Sequence, residues 1–182
     1  MTAYKKPHSP PTVYRAENRC QSFPPSIDDR STVLILGSMP GIKSLTERQY
    51  YAHPQNRFWK VMAKICDTEN LWQFDYQKKL KVLLKHNIAL WDTIKSCHRP
   101  GSLDSAITNE QPNDIIGLLG KYPDVKNIVL NGGKAFSSFH KYFPDIVKHY
   151  PCHKMPSTSP ANAGYNMEKL TREWLAVRNF IL

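Results

Sequence analysis

The sequence predicts a single α/β domain built on a short, mostly parallel four-stranded sheet that is flanked by helices on both faces. Short apolar runs, each too brief for a helix, indicate buried strands at residues 33–36, 88–91 and 128–130. Turn-forming residues and stretches with helical spacing follow these runs. That alternation is typical of a parallel sheet covered on both sides.

The remaining elements follow from the same kinds of pattern. Residues 1–25 contain five prolines among polar and basic side chains, so we expect an extended or poorly ordered arm before a domain at residues 26–182. Pro112 is expected to begin a helix, with Asn113 and Asp114 in its first turn. Amphipathic spacing places the helices at residues 57–65, 77–85, 112–119, 134–142 and 167–180. A last strand is expected at about residues 147–155, and residues 97–108, which are rich in turn formers, are expected on the surface.

The chain is strongly basic. Its 182 residues carry a formal net charge of +10 with a pI near 9.5, which favours an anionic partner and above all nucleic acid. A basic surface that serves only solubility is the alternative. No apolar stretch approaches the ~18 residues that span a membrane, and the Pro-rich N-terminus does not resemble a secretory signal. The four cysteines are widely separated and form no CxxC pair, so we expect free thiols in a reducing cytoplasm.

The most distinctive polar and aromatic residues follow three of the predicted strands, after Leu36, Trp91 and Met155. In a parallel sheet these strand ends meet at one edge. Open α/β sheets bind their ligands at that edge. The sequence therefore predicts one pocket built from loops that are far apart in the chain.

Residues 33–62, VLILGSMPGIKSLTERQYYAHPQNRFWKVM, resemble motif one of the uracil-DNA glycosylase superfamily. Their second half is especially similar to the mismatch-specific uracil-DNA glycosylase branch, and the whole string with its GSMPG opening is most similar to the hypoxanthine-DNA (deoxyinosine) glycosylase branch. Residues 155–170, MPSTSPANAGYNMEKL, resemble motif two. The resemblance covers residues 24–178. It implies a uracil-DNA glycosylase-like fold and a monofunctional DNA glycosylase, monomeric and without a cofactor. Such an enzyme flips a deaminated base, hypoxanthine first and uracil second, and hydrolyses its N-glycosidic bond.

The resemblance also assigns roles within motif one. Tyr51 matches the aromatic residue on which the flipped base stacks, although a core tyrosine is the alternative. The mismatch-specific branch has GINPG, whose Asn positions the attacking water, whereas this chain has Met39, and a thioether cannot do that. We therefore expect Asn56 to be catalytic, with Ser38 or Ser159 as helpers; weak catalysis is the alternative. From the residues alone Asn56 indicates a helix N-cap, and both roles can hold.

Asp92 ends the second strand, where uracil-specific relatives carry a base-reading Asn, and we predict it as a second catalytic residue. An ionised Asp only accepts, which suits the N1–H of hypoxanthine, whereas a protonated Asp in a dry pocket also donates. A strand-end cap and activation of water are the alternatives. The residues predicted to bind the substrate are Ser38, Met39, Tyr51, His53, Asn131 and Ser159.

The motif-two loop is expected to contact DNA. Its hydroxyl and backbone donors suit phosphate, and the resemblance implies that it pinches the phosphates while the residues after it fill the gap left by the flipped base. Helix capping is the alternative for its Ser and Thr. The predicted DNA-binding residues are Ser157, Thr158, Pro160, Ala161, Asn162, Ala163, Gly164 and Tyr165, of which the last four form the wedge. The amides of residues 131–133, at a helix start, are another candidate for a phosphate, and Lys134 adds charge.

The sequence predicts no metal or iron–sulfur cluster, because neither the histidines nor the cysteines have the spacing of such sites. Two rival functions remain open. A nucleic-acid-binding protein with the same fold but no catalysis would explain Met39 and Asp92. A phosphoester or nucleotide enzyme of another doubly wound family would require a divalent metal.

Overall fold

The computed structural model describes residues 18–181. Its central strands are β2 (Val33–Gly37), β3 (Ile88–Asp92), β6 (Asn127–Asn131) and β7 (Cys152–Met155). They form one sheet in the order β3-β2-β6-β7, and every neighbouring pair is parallel. The register places Gly37 opposite Asp92 at the carboxyl end of the sheet. The predicted fold class is confirmed.

Helices cover both faces of this sheet. They are α1 (Ile42–Glu47), α2 (Phe58–Ile65), α3 (Tyr76–Lys85), α4 (Ile115–Lys121), α5 (Gly133–Tyr142), α6 (Pro144–His149) and α7 (Met167–Trp174). Val33 and Ile35 of β2 pack into a core with α2, α3 and α7, whereas Leu34 and Leu36 pack into a second core with α4, α5 and α6. Because both faces are buried, the strand is an unbroken apolar run.

A second sheet, which the sequence did not predict, lies beside the first. It joins β1 (Arg19–Gln21), β4 (Ile94–His98) and β5 (Thr108–Pro112) in the antiparallel order β1-β4-β5. These strands are short and half exposed, so they carry no continuous apolar signal. Of the predicted arm at residues 1–25, residues 1–17 lie outside the described part of the chain, and β1 is paired with β4.

Three predicted element boundaries were wrong. Pro112 ends β5 and does not begin a helix; α4 starts at Ile115, after Asp114, whose carboxylate accepts a hydrogen bond from the Gly117 amide. The strand expected from residue 147 begins only at Cys152, because Pro144 starts α6 there. The closing helix is α-helical only to Trp174 and continues as a 3₁₀ helix to Phe180.

Helices α2, α3 and α5 lie where the spacing predicted them, within one residue at either end, whereas α1 and α6 were not predicted. Within residues 18–181, none of the helices combines the length and apolar character needed to cross a membrane.

Candidate active site

A cavity of about 550 Å³ opens at the carboxyl edge of the parallel sheet. Its size is within the range of small-molecule sites. The chain lines it after Leu36, with Asp92 after Trp91, and after Met155, so the predicted meeting of these distant segments is confirmed. The predicted site residues in its wall are Ser38, Met39, Tyr51, His53, Asn56, Asp92, Asn131, Ser157, Thr158, Ser159, Pro160, Ala161 and Asn162.

The Tyr51 ring forms a fixed aromatic wall of this cavity. It stacks on Phe58, the first residue of α2, with ring centroids 3.8 Å apart and ring planes 18° from parallel. The backbone of Tyr51 has φ 55°, in the left-handed region, which turns the chain back towards the helix. Burial raises the pKa of the Tyr51 hydroxyl above its ordinary value, so the group stays neutral and keeps its hydrogen-bonding proton.

Asn131, at the end of β6, ties the Tyr51 loop to the β7 loop. Its amide nitrogen donates to the Tyr51 hydroxyl over 3.1 Å and to Thr158 Oγ1 over 3.0 Å. Its amide oxygen accepts from the Thr158 backbone N–H over 3.0 Å. These bonds occupy both ends of the Asn131 amide, so the residue orients the wall of the pocket. The predicted contact of Asn131 with a substrate stays a prediction.

Asp92 ends β3 with its side chain 3% exposed. Ser22 Oγ donates to its Oδ2 over 2.7 Å. Burial raises the pKa of Asp92 to about 7, although the Ser22 bond and the nearby Arg99 charge favour the ionised form. Both protonation states are therefore populated near neutral pH.

The carboxyl group of Asp92 and the hydroxyl of Tyr51 approach each other across Gly37. A Cβ atom at Gly37 would lie 2.7 Å from Asp92 Oδ1 and 3.2 Å from the Tyr51 hydroxyl. Only glycine therefore fits between the two groups.

Asn56 stands just before α2 and caps it. Its Oδ1 accepts from the Phe58 amide over 3.0 Å, so the side chain bonds the start of the helix as expected, although Arg57 and not Asn56 occupies the N-cap position. A carbonyl oxygen has two lone pairs. The second lone pair and the amide NH₂ are left for a ligand in the cavity, which Asn56 lines.

The GSMPG turn is held in place by a residue that the sequence analysis did not single out. Arg99 is 2% exposed, and its guanidinium donates to the carbonyl oxygens of Met39 and Pro40. The prediction that residues 97–108 lie on the surface was therefore wrong for Cys97 and Arg99, each of which is 2% exposed. Met39 itself packs with the buried Cys20, so its side chain has a structural role at the cavity wall.

Arg57 is a second residue that the sequence analysis did not single out. Its guanidinium donates to the backbone carbonyls of Thr158, Ser159, Asn162 and Tyr165. Its own backbone amide also donates to Thr158 O, over 3.1 Å. One side chain beside Asn56 thus shapes the whole motif-two loop. No local pattern indicates this, because the partners lie about a hundred residues away in the chain.

The last three predicted wedge residues lie outside the lining of the cavity. Ala163 and Gly164 are exposed, and the Tyr165 ring packs against the core. The Tyr165 hydroxyl donates to Glu173 over 3.2 Å, and Lys169 Nζ lies 4.4 Å from the ring centroid. The predicted DNA contacts of these residues stay predictions.

The turn after β6 is closely packed against the motif-two loop. Gly132 has φ 99°, and a Cβ atom there would lie 2.9 Å from Ser157 Cβ. Lys134, which was expected to add positive charge, forms an ion pair with Glu110.

Across residues 18–181 no group of three or more His, Cys, Asp or Glu side chains is arranged to hold a metal ion.

Comparisons with known proteins place this geometry in context. The family model described as the uracil DNA glycosylase superfamily matches residues 24–180. A hypoxanthine DNA glycosylase of Methanosarcina acetivorans is 38% identical over 158 residues, which cover 86% of this chain and 96% of that protein. A hypoxanthine DNA glycosylase of Methanosarcina barkeri is 40% identical over 115 residues, covering 63% of this chain and 72% of that protein.

A third protein sequence and a solved structure are also similar to this chain. A G/U mismatch-specific uracil DNA glycosylase of Schizosaccharomyces pombe is 29% identical over 138 residues, covering 76% of this chain and 40% of that protein. The solution NMR structure of a Methanosarcina acetivorans protein described as a uracil DNA glycosylase superposes with a TM-score of 0.76 at 37% identity. That match covers 89% of this chain and 98% of the other.

Proposed function

Because this chain belongs to the uracil DNA glycosylase superfamily, we propose that its pocket receives a deaminated base flipped out of DNA and that the enzyme hydrolyses the N-glycosidic bond. Hypoxanthine is the first substrate, with uracil second. The relatives named hypoxanthine DNA glycosylase support this order. The single observation that carries the proposal is the cavity that joins Tyr51, Asn56 and Asp92 at the end of the sheet.

The flipped base stacks on the aromatic wall. Phe58 fixes the Tyr51 ring from behind, so the ring needs no reordering when a base arrives. Stacking on an aromatic side chain contributes about 1–3 kcal/mol per base and suits a purine as well as a pyrimidine. The wall therefore supplies affinity, and selection among bases falls to the polar groups around it.

Asp92 reads the hydrogen-bonding edge of the base. A neutral carboxyl group donates one hydrogen bond and still accepts another, which matches the O6 acceptor and the N1–H donor of hypoxanthine. Burial raises the pKa of Asp92 to about 7, so the neutral form is available at neutral pH. Ser22 donates to Oδ2 and fixes the orientation of the carboxyl group, and Oδ2 keeps a second lone pair for the N1–H of the base.

Asn56 acts on the bond that breaks. As the base leaves, negative charge develops on it and positive charge on the sugar, and water completes the hydrolysis. The free lone pair of Asn56 Oδ1 accepts a hydrogen bond from the attacking water, whose proton ends on the departing base, while the amide NH₂ donates a hydrogen bond to developing negative charge. The hydrogen bond from the Phe58 backbone amide prevents the Asn56 side chain from turning away from the cavity. Met39, which lacks a hydrogen-bonding group of this kind, fills the wall.

The motif-two loop binds the phosphates around the lesion. Ser157 and Ser159 present hydroxyl groups there, next to Pro160 and Ala161 at the cavity mouth, whereas Thr158 is buried with its amide and hydroxyl bonded to Asn131. The net charge of +10 adds long-range attraction to the DNA backbone. We further propose that the protein acts as a monomer in the cytoplasm, because one chain builds the whole cavity and its four cysteines are free.

A cleavage assay tests this function. Duplexes that carry one inosine, uracil, xanthine or a G·T mismatch are incubated with the protein in EDTA, and alkali then cuts any abasic site. We expect cleavage of the inosine strand, and a loss of about a hundredfold in rate for Asn56→Ala. Asp92→Ala is expected to lose hypoxanthine activity as well, because it removes the edge-reading group.

The matched control is Asp145→Asn, a change on the exposed surface of α6 far from the cavity lining. It should leave the rate unchanged. Binding of the inosine duplex without any release of base would contradict the proposed function, and so would a strict requirement for a divalent metal.

A further inference from the structure

Two large aliphatic side chains stand exposed at the mouth of the cavity. Ile42 is 52% exposed and Leu103 is 59% exposed, and both line the cavity. They belong to segments far apart in the chain, since Ile42 begins α1 and Leu103 lies between β4 and β5. Leaving two such groups in water is unfavourable, so their exposure beside a binding site indicates contact with a partner.

The two segments are fastened to each other. Ser102 Oγ accepts a hydrogen bond from the Ile42 backbone amide over 2.9 Å. The Ser102 side chain also lies 3.4 Å from the Cβ position of Gly41, which brings the two backbones together. On the same side of the pocket, Ser38 Oγ donates to Asp104 Oδ1 over 2.7 Å. We call the exposed pair Ile42 and Leu103 the apolar rim.

The motif-two loop offers no comparable apolar group at the cavity mouth. Its exposed tip consists of Pro160, Ala161, Ala163 and Gly164, which are small or rigid. Tyr165, the one large side chain there, packs against the core and is bonded to Glu173. The gap that a flipped nucleotide leaves in a base stack is commonly filled by a large apolar side chain.

We propose that the apolar rim, and not the motif-two loop, presses on the base stack beside the flipped nucleotide and holds the gap open. This inference rests on the proposed function and names the surface that engages the duplex. The partner is double-stranded DNA: the chain carries a net charge of +10, which draws a polyanion to it, and the rim borders the cavity that receives the base. The hydrogen bond from Ser38 to Asp104 fastens the segment next to Leu103 to the GSMPG turn.

The test compares duplex with single-stranded DNA, because only a duplex has a continuous stack to be held apart. The variants are Ile42→Ala, Leu103→Ala and the double variant. Single-turnover cleavage is measured on an inosine duplex and on the same inosine strand alone. Unstacking is followed by the fluorescence of 2-aminopurine placed next to the lesion. Ile116→Ala is the matched control, since Ile116 is 65% exposed on α4 and does not line the cavity.

We expect each single variant to lose about tenfold on the duplex and the double variant about a hundredfold, while the single strand is cleaved within about threefold of wild type. The 2-aminopurine signal of the bound duplex should fall in parallel, and Ile116→Ala should match wild type in every measurement. Equal losses on both substrates would overturn the inference, because the rim would then shape only the base pocket. The inference would also be overturned if the double variant kept the wild-type cleavage rate and 2-aminopurine signal on the duplex.

Failure of the proposed function gives a different result. If wild-type protein bound the duplex but released no base from either substrate, the catalytic proposal would fail. The 2-aminopurine signal of the bound duplex would still decide whether the rim separates the bases. Thermal melting of each variant checks that these exposed substitutions leave the fold intact.

Discussion

Asn131 donates a hydrogen bond to the hydroxyl of Tyr51, and this bond joins the end of β6 to the loop between α1 and α2. The same amide holds Thr158 in the loop after β7, so one side chain connects three segments of the cavity wall. The Tyr51 ring, clamped between this bond and its stack on Phe58, is in place before any ligand arrives. Preorganised contacts of this kind lose little entropy on binding.

Two replacements of Tyr51 distinguish the contribution of its ring from that of its hydroxyl group. Tyr51→Ala removes the stacking surface and should lower kcat/KM on an inosine duplex by about 10- to 100-fold, the equivalent of one stacked base. Tyr51→Phe keeps the ring but loses the Asn131 bond, so we expect a loss of about fivefold or less. Steady-state kinetics on both variants measure the difference. Equal losses would show that the hydroxyl, and not the ring, matters to the substrate.

The buried carboxyl of Asp92 makes stability depend on pH. Burial raises its pKa from 3.8 to about 7, so between these values the folded protein binds a proton that the unfolded chain has lost. The contribution of Asp92 to the free energy of unfolding is therefore greatest below the lower value and falls as the pH rises to the higher one.

Denaturant unfolding of wild type and Asp92→Asn at pH 5 and pH 8 isolates this contribution. The free energy of wild type minus that of the variant should decrease by about 3 kcal/mol between the two conditions. A difference independent of pH would mean that Asp92 has an ordinary pKa in the folded protein.

The rate of hypoxanthine release should also depend on the protonation of Asp92. If neutral Asp92 reads the base, the wild-type rate falls above about pH 7, by about tenfold per pH unit. The amide of Asp92→Asn donates and accepts without titrating, so its rate should stay level with pH, and its relative activity on uracil should rise. Single-turnover rates on inosine and uracil duplexes from pH 6 to pH 9 check both points. A wild-type rate that increases with pH would instead favour ionised Asp92 as a base for water.

Arg57 should control the motif-two loop through the shape of its guanidinium. Arg57→Lys keeps the charge but cannot reach four carbonyl groups, so we expect about tenfold weaker binding of duplex DNA and faster amide exchange over residues 157–165. The rate at saturating DNA should change by about threefold or less, because Asn56 keeps its cap on Phe58. Binding by Arg57→Lys equal to wild type would show that only the positive charge is needed.

The parts of the fold that the sequence predicted are those with strong local signals. Strand β2 is apolar at consecutive positions because it is buried on both faces. Helix α2 shows apolar residues at helical spacing because it packs against the core. Strands β4 and β5 were missed because they are short and carry few buried side chains, and β4 pairs with β1, which is distant in the chain. Helix α6 was missed although it begins at Pro144, a residue that is favoured at the first position of a helix.

The site also contains residues that the sequence predicted and residues that it did not. Tyr51, Asn56 and Asp92 were predicted to meet because strand ends of a parallel sheet share an edge, and all three line one cavity. Arg57 and Arg99 were missed because their partners are backbone carbonyls, which leave no trace in the sequence. An arginine bonded to carbonyls also looks the same in sequence as one that binds DNA.

Single-turnover release of free hypoxanthine from an inosine duplex, measured for wild type and for Asn56→Ser, shows whether Asn56 acts on an N-glycosidic bond held in this cavity. Serine keeps the cap on α2 but is too short to reach the base, so stability should be retained. We predict that wild type releases free hypoxanthine and that the variant is slower by about a hundredfold. Release of no base by wild type, or a variant rate within about threefold of it, would contradict the account.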